Sequence, residues 1–232
     1  MDKVVSLDTQ GLFHLMSWMS PSYPVGAYTY SHGIEYAVEA GLISTREDIS
    51  SWIAAILTGG SGQSDCILLA ATHRAVHQNA IDELRDIAEL GLAFCSTGEL
   101  ELETTQQGRA FIRVTNDVSP SPALKRLAET WSGPVIYPVA VAIVAAEKNI
   151  PLAETLTAYL HGFISNLVSA AVRIIPLGQT DGQRVIAALA PQVRTQVEEI
   201  IMTTLDDLGA ATLMVDWCSS QHETQYTRLF RS

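Results

Sequence analysis

The segment between Pro151 and Pro176 constrains the fold more than any other part of the sequence. Its apolar residues recur at intervals of three and four and form two stripes along a helix. A helix that is apolar on two faces is normally buried among other helices. Pro151 fits the first turn of such a helix, and Pro176 stops it from continuing. We therefore predict a central buried helix over about residues 152–175, followed by a polar segment from Gln179 to Gln183.

Prolines and glycines divide the rest of the chain into further segments of helical period. The spacing of Ser44 to Glu47 is typical of a capping box at a helix start. No segment alternates polar and apolar residues as a strand does, and no linker is long enough to separate two domains. We predict an all-α, single-domain bundle of about ten helices over residues 1–232, with a long helix from Gly182 to Leu208.

The last part of the chain, from about residue 217 to residue 232, differs from this pattern. It is mostly polar and has no helix cap, yet it contains Tyr226, Leu229 and Phe230 among its arginines. A frayed terminus is one interpretation. An anchor for a partner is the other, because aromatic and arginine side chains are common at the centres of interfaces. We expect a flexible, partner-binding C-terminal tail and leave both interpretations open.

The composition argues against nucleic-acid binding and against a membrane protein. The formal net charge is −11, whereas phosphate binding needs clustered lysine and arginine. The longest apolar run, 135–146, is shorter than the ~20 residues of a membrane span, and the N-terminus lacks the features of a signal peptide. Cys66, Cys95 and Cys218 lie far apart, as reduced thiols do. We expect a cytoplasmic protein that uses some of its 47% hydrophobic residues in an interface.

Nothing in the sequence assembles a catalytic site. It has no GxxxxGK[ST] phosphate loop, no HExxH and no GxSxG. His73 and His77 share a helical face and could hold a metal, although a solvated face is favoured. His161 is expected to be a hydrogen-bonded core or interface residue, and Arg173 to pair with a carboxylate or with carbonyl groups. We predict that the chain is not an enzyme.

Three separated segments together resemble the UreF family of urease accessory proteins. They are SPSYPVGAYTYSHGIEYAVEAGLI (20–43), LVSAAVRIIPLGQTDGQ (167–183) and HETQYTRLFRS (222–232), with a weaker match at QQGRAF (106–111). The resemblance implies an all-helical, non-enzymatic scaffold that forms a homodimer and binds UreD, also called UreH. The pair would recruit the GTPase UreG to apo-urease, modulate its GTPase cycle and assist nickel insertion. The complex would handle the nickel, so no cofactor is expected on this chain.

The resemblance also implies roles for individual residues. The tail that becomes ordered against UreD would comprise His222, Glu223, Tyr226, Arg228, Leu229, Phe230 and Arg231. A polar turn near the partner surfaces would be formed by Gln179, Gly182 and Gln183. The N-terminal loop beside them would be shaped by Pro24, Gly26, Tyr30, Ser31, Gly33 and Glu35. For the glycines, turn geometry alone is an equally good interpretation.

Two other functions stay open from the sequence. One is a metallochaperone that carries nickel itself, through His73, His77 or His222 together with Cys218. The other is an unrecognised all-α hydrolase or lyase, although the cluster of acid, base or metal ligands that such an enzyme needs is missing.

Overall fold

The structure is a computed structural model that describes residues 6–232. Within this range the chain forms eleven α-helices, two short 3₁₀ turns and no strand, which confirms the predicted all-α single domain. The helices are α1 (Thr9–Trp18), α2 (Ile34–Glu39), α3 (Arg46–Gly59), α4 (Ser61–His77), α5 (Ile81–Ala93), α6 (Gly98–Val118), α7 (Pro122–Thr130), α8 (Tyr137–Glu147), α9 (Leu152–Ile174), α10 (Gln179–Ile200) and α11 (Leu213–His222), and the 3₁₀ turns are Ala27–Thr29 and Leu205–Asp207.

The start of α3 follows the capping signal in the sequence, one residue later than predicted. Thr45 Oγ1 accepts a hydrogen bond from the backbone N–H of Asp48 (3.1 Å), and the Asp48 carboxylate accepts one from the backbone N–H of Thr45 (2.9 Å). The box is therefore Thr45 to Asp48, not Ser44 to Glu47. Each of the two bonds satisfies a donor that the first helical turn leaves without a partner.

Helix α8 is the helix that the fold encloses on all sides. Every residue from Pro138 to Ala146 is buried, because the run PVAVAIVAA has no polar face to present to water. Small alanines let α4 and α6 pack closely on it. Burial of each of its larger apolar side chains contributes about 1.5–3 kcal/mol to folding, so this helix makes a large contribution to the stability of the core.

The predicted central helix exists as α9, with bounds within a residue of the prediction. It contacts α1, α2, α3, α4, α8 and α10, and in this sense lies at the centre of the bundle. It is not buried on all sides, however, because Thr157, His161 and Ser169 are exposed. These residues are spaced by multiples of four and so form a polar line along one side of the helix. The predicted central helix is therefore largely buried, but it keeps one polar side.

The helix after α9 begins and ends earlier than the sequence suggested. Helix α10 starts at Gln179 and ends at Ile200, and Pro191 lies inside it. Gln179, Gly182 and Gln183 therefore belong to its first turns and do not form a separate polar turn. A Cβ on Gly182 would lie 3.0 Å from a methyl carbon of Val168, so the glycine allows α10 to pack closely on α9.

One helical stretch, Arg46–His77, reaches the length and mean hydropathy of a membrane span. It consists of α3 and α4, which meet at Gly60, where the backbone is extended. Of its most apolar window, 61% is buried inside the fold, as in a core helix of a globular domain.

Candidate partner-binding site

The C-terminal segment, residues 223–232, folds back onto the N-terminal loop and α6. The preceding residues, 213–222, form α11, which packs on α2 and α6. The predicted tail thus begins inside a helix, and the rest of it has a packed position in the structure. The flexibility that the sequence suggested for it stays a prediction.

Gly33 is the residue that lets α11 approach α2. It has a φ of +77°, and a Cβ on it would lie 2.9 Å from the backbone nitrogen of Ser219. Only glycine avoids that clash while adopting the left-handed conformation. Backbone conformation and packing therefore explain this glycine without a partner contact. The close approach of α11 to α2 brings Glu35 within reach of the segment that follows α11.

Glu35 is the main anchor of the C-terminal segment. Its carboxylate accepts hydrogen bonds from the backbone N–H groups of Leu229 (2.6 Å) and Phe230 (2.9 Å). The same carboxylate lies 3.0 Å from Nε2 of His222, which is fully buried. Hydrogen bonds to a charged acceptor contribute about 1.5–3 kcal/mol each, so this one side chain fixes the residue before the segment and two residues near its end.

Glu99 of α6 holds the other side of His222. Its carboxylate lies 2.6 Å from Nδ1 of His222 and accepts a hydrogen bond from Nη1 of Arg228 at 3.2 Å. Burial raises the pKa of Glu99, while the neighbouring His222 and Arg228 oppose this rise. His222 therefore bridges two acidic side chains that come from helices far apart in sequence.

The last residues extend the contact to the N-terminal loop. The backbone N–H and the hydroxyl of Ser31 both donate to the carbonyl oxygen of Ser232, at 2.7 and 2.6 Å, and the Ser232 hydroxyl contacts Glu103 at 3.0 Å. The backbone N–H of Arg231 donates to the carbonyl of Thr29 at 2.8 Å. The result is an ordered arrangement of loop and tail in which Ser31 and Ser232 are both buried.

Arg173 of α9 contacts both the N-terminal loop and the C-terminal segment. Its guanidinium donates to the carbonyl oxygen of Tyr28 at 2.7 Å and stacks 4.4 Å above the ring of Phe230, which is buried. Such a cation–π contact adds to the apolar burial of the ring. The prediction that Arg173 pairs with a carbonyl group is confirmed.

Five large apolar side chains are exposed on α11 and on the docked segment. Tyr226 is fully exposed and Leu229 is 56% exposed, while the outer side of α11 adds Leu213 (81%), Met214 (52%) and Trp217 (45%). We call these five residues the α11 strip. The sequence analysis missed its α11 part, because it assigned no helix after residue 208 and interpreted residues 217–232 as an uncapped, mostly polar tail. The spacing of the three apolar residues, i, i+1 and i+4, is the signal that could have revealed the helix.

The predicted site residues fall into two groups. The N-terminal loop and the tail meet as expected, and Arg231 lies 5.8 Å above the ring of Tyr30. Glu223 is exposed at the end of α11. Among residues 6–232, no hydrogen bond links the side chain of Gln179 or Gln183 to the tail, and both are exposed. The QQGRAF match has a packing role, because a Cβ on Gly108 would lie 2.1 Å from the carbonyl oxygen of Val135.

An internal cavity of about 110 Å³ lies near the docked segment and contains several titratable groups. Tyr159 donates to the Asp65 carboxylate at 2.6 Å, and burial raises the pKa of Asp65 to about 6. His32 contacts the hydroxyl of Ser61 at 2.7 Å and the carboxylate of Glu103 at 3.3 Å. Burial also raises the pKa of Tyr159, so this phenol is not an activated nucleophile or base.

The side chains considered for nickel lie in two separate places. The rings of His73 and His77 are 4.7 Å apart, and Nε2 of His73 donates to the carbonyl oxygen of Ile150 at 2.8 Å. Burial lowers the pKa of His73 to about 4 and raises that of Cys218 to about 11, so the thiol is protonated near neutral pH. Both ring nitrogens of His222 face carboxylates. In the part of the chain that the structure describes, no three His, Cys, Asp or Glu side chains could share a metal ion.

The fold and this surface define a class of protein: a single all-α domain whose C-terminal segment docks on its own body beside an exposed apolar strip. Comparison with known proteins gives the family. The UreF family model matches residues 43–190, and the chain belongs to the UreF family of urease accessory proteins.

Similar proteins cover nearly the whole chain. The urease accessory protein UreF of Rhodopseudomonas palustris strain BisB18 is 50% identical over 221 residues, which is 95% of this chain and 92% of that protein. The UreF of Bradyrhizobium sp. strain BTAi1 is 48% identical over 229 residues, 99% of this chain and 95% of that protein. The UreF of Xanthobacter autotrophicus strain Py2 is 49% identical over 221 residues, 95% and 91% of the two chains. The resemblance found in the sequence is confirmed.

Proposed function

We propose that this chain is a non-catalytic, cytoplasmic scaffold in urease maturation, which binds UreD through the α11 strip. The pair then recruits the GTPase UreG to apo-urease, modulates its GTPase cycle and assists nickel insertion. The metal is cargo of the complex, and no cofactor resides on this chain. These roles rest on membership of the family and on the surface described above.

The observation that carries the proposal is the α11 strip. Five large apolar side chains of α11 and of the segment that follows it are at least 45% exposed. A contiguous exposed apolar patch is typical of a surface that a partner covers. Tyr and Trp within it are the residue types that most often dominate binding energy. The bonds to Glu35 and Glu99 hold the part of the segment that carries Leu229.

The test uses purified UreD and size-exclusion chromatography with light scattering. A triple variant, Leu213→Ser, Met214→Ser and Tyr226→Ser, removes three of the five apolar side chains of the strip. We expect it to bind UreD at least about tenfold more weakly than the intact chain, which corresponds to ~1.4 kcal/mol. Deletion of residues 228–232 should weaken binding as well, because it removes the support of the strip.

A matched triple variant controls for a general loss of apolar surface. Phe13→Ser, Met16→Ser and Met202→Ser change side chains that are 66–82% exposed and lie outside the strip. This control should bind UreD like the intact chain. Equal binding by the strip variant and the intact chain would show that the strip is not the UreD site. Unchanged urease activation when this chain is omitted from a mixture of UreD, UreG, nickel and apo-urease would overturn the scaffold role.

The proposed homodimer is supported by a second surface, the α9–α10 groove. This groove has a volume of about 480 Å³ and is lined mainly by apolar side chains of Ile164, Ile186, Ala190, Val193 and Val197. His161, predicted as a core or interface residue, is exposed at its edge. Arg194 and Glu198 also line the groove and lie one turn apart on α10. A two-fold axis that passes midway between them would place Arg194 of each copy opposite Glu198 of the other.

A further inference from the structure

The contacts of His222 with two carboxylates determine how many protons the three side chains must hold. Nε2 lies 3.0 Å from the Glu35 carboxylate and Nδ1 lies 2.6 Å from the Glu99 carboxylate. A neutral imidazole has one donor nitrogen and one acceptor nitrogen, whereas a carboxylate only accepts. Both contacts are hydrogen bonds only if the group of three side chains holds one additional proton, on the imidazole or on a carboxyl group.

We propose that docking of the C-terminal segment takes up one proton into the Glu35–His222–Glu99 group, so that the segment is a pH-sensitive latch. The latch is closed at lower pH and opens as the pH rises. This inference concerns contacts within one chain and does not depend on the proposed function.

The charges around the group explain why the proton is retained. With the proton in place, the two carboxylates are balanced by one positive charge at His222 and one at Arg228, and buried charges are tolerated when they are paired in this way. Without it, the buried group would carry an uncompensated negative charge. The surrounding charges do not supply the balance. They are Glu39 on α2, Glu103 on α6, Glu223 at the end of α11, Asp216 on α11, and His32 in the loop before α2. Two further cations, Arg173 and Arg231, lie over the rings of Phe230 and Tyr30 and not against the two carboxylates.

The direction of the pH effect follows from proton linkage. A solvated imidazole is mostly neutral above about pH 6.5, so the released segment has lost the proton that the docked segment holds. The state that binds more protons is weakened as the pH rises. The ratio of docked to released segment should then fall, at most about tenfold per pH unit. Release frees the backbone N–H groups of Leu229 and Phe230 and exposes the ring of Phe230.

The experiment measures Phe230 by fluorine NMR of the full chain containing 4-fluorophenylalanine. The chain has five phenylalanines, and loss of one signal in Phe230→Leu assigns the resonance. Docked Phe230 lies under the Arg173 guanidinium, so its shift differs from that of a solvated ring. Between pH 6 and pH 9, we expect the docked signal to decline in favour of the solvated one while the other four signals keep their positions.

Four variants identify the titrating group. His222→Gln should show a smaller docked population at pH 6 that no longer depends on pH, and Glu99→Gln should reduce the pH dependence while keeping the fold. His77→Gln, an exposed histidine outside the contact, should titrate like the unmodified chain. A docked signal that stays constant from pH 6 to pH 9 overturns the latch. So does pH dependence that survives in His222→Gln but disappears in His32→Gln, since His32 contacts Glu103 beside Ser232.

Discussion

Glu35 shows how one buried carboxylate organises residues that lie almost 200 positions away. It accepts from the backbone of Leu229 and Phe230 and contacts His222. In Glu35→Gln, the amide NH₂ would face donor groups, and the negative charge opposite His222 would be lost. We expect the free energy of unfolding to fall by about 1–3 kcal/mol, measured by urea denaturation at pH 7.

The control for this prediction is Glu39→Gln on the same helix. Glu39 is exposed and contacts only the side chain of Gln225. Its substitution should change stability by less than about 0.5 kcal/mol. Equal effects of the two substitutions would mean that Glu35 does not anchor the segment.

Asp65 gives a prediction on pH dependence. Burial raises the pKa of this carboxyl to about 6, above the value of about 3.9 in an unfolded chain. The folded chain therefore binds more protons than the unfolded chain between about pH 4 and pH 6, and this contribution to stability is lost as the pH rises through that window. Asp65→Asn keeps an acceptor for the Tyr159 hydroxyl but cannot ionise.

We expect Asp65→Asn to be more stable than the unmodified chain at pH 7.5, by about 1–3 kcal/mol, and to lose this advantage at pH 4. The gain is smaller than the full pKa shift implies, because the Asp65 side chain is half-buried and lines the cavity. Urea denaturation at the two pH values measures the difference, with the exposed Asp82→Asn as control. A gain that is the same at both pH values would rule out ionisation of Asp65 as its cause.

For single residues, a role can be predicted from the sequence where it follows from the chemistry of that residue alone. An arginine near the end of an apolar helix requires acceptors, and Arg173 finds the carbonyl of Tyr28. The sequence does not reveal that His222 meets Glu35 and Glu99, because these partners are 187 and 123 positions away. Only the packing of α11 on α2 and α6 brings them together.

Among the helices, α6 and α8 depend on the absence of a side chain at Gly108. A Cβ there would lie 2.1 Å from the carbonyl oxygen of Val135 and 3.0 Å from the backbone nitrogen of Tyr137. Because backbone atoms cannot yield as a flexible side chain does, Gly108→Ala should force α6 away from the start of α8. We expect a loss of about 2–3 kcal/mol in the free energy of unfolding, measured by urea denaturation.

Gly59→Ala is the comparison for this substitution. Gly59 also lies in a helix, but a Cβ on it would have no atom within 4 Å. Alanine favours the helical backbone over glycine, so this variant should be as stable as the unmodified chain or slightly more stable. If Gly108→Ala were as stable as Gly59→Ala, the close approach of α6 and α8 would not limit the fold.

The helices themselves were largely predictable, whereas their burial was not. Proline, glycine and capping residues set most of the boundaries, which are local properties. Which helix is enclosed depends on what packs around it. A count of apolar residues favoured α9, but its line of Thr157, His161 and Ser169 leaves one side polar, and the shorter α8 has no such line. Helix α11 was missed because the polar residues of the tail outweighed the helical spacing of Leu213, Met214 and Trp217.

For the whole molecule, the two apolar surfaces should have different partners. The α11 strip includes Tyr226 and Leu229 of the C-terminal segment, while the α9–α10 groove lies along helices that carry none of the strip. Ala190 lines the groove, and Ala190→Arg would place a long charged side chain in it. If the groove joins two copies, this change should convert the dimer into a monomer at micromolar concentration, as measured by light scattering. UreD binding through the strip should remain.

The neighbouring substitution Ala188→Arg separates this effect from a general effect of charge. Ala188 is exposed on the same helix but does not line the groove, so its variant should remain dimeric. Charge reversal adds a second test, since Arg194→Glu should weaken the dimer by opposing it to Glu198 of the other copy, and Arg194→Glu combined with Glu198→Arg should restore it. Such rescue requires that the two positions face each other across a two-fold axis. A dimer that persists in Ala190→Arg would assign self-association to another surface.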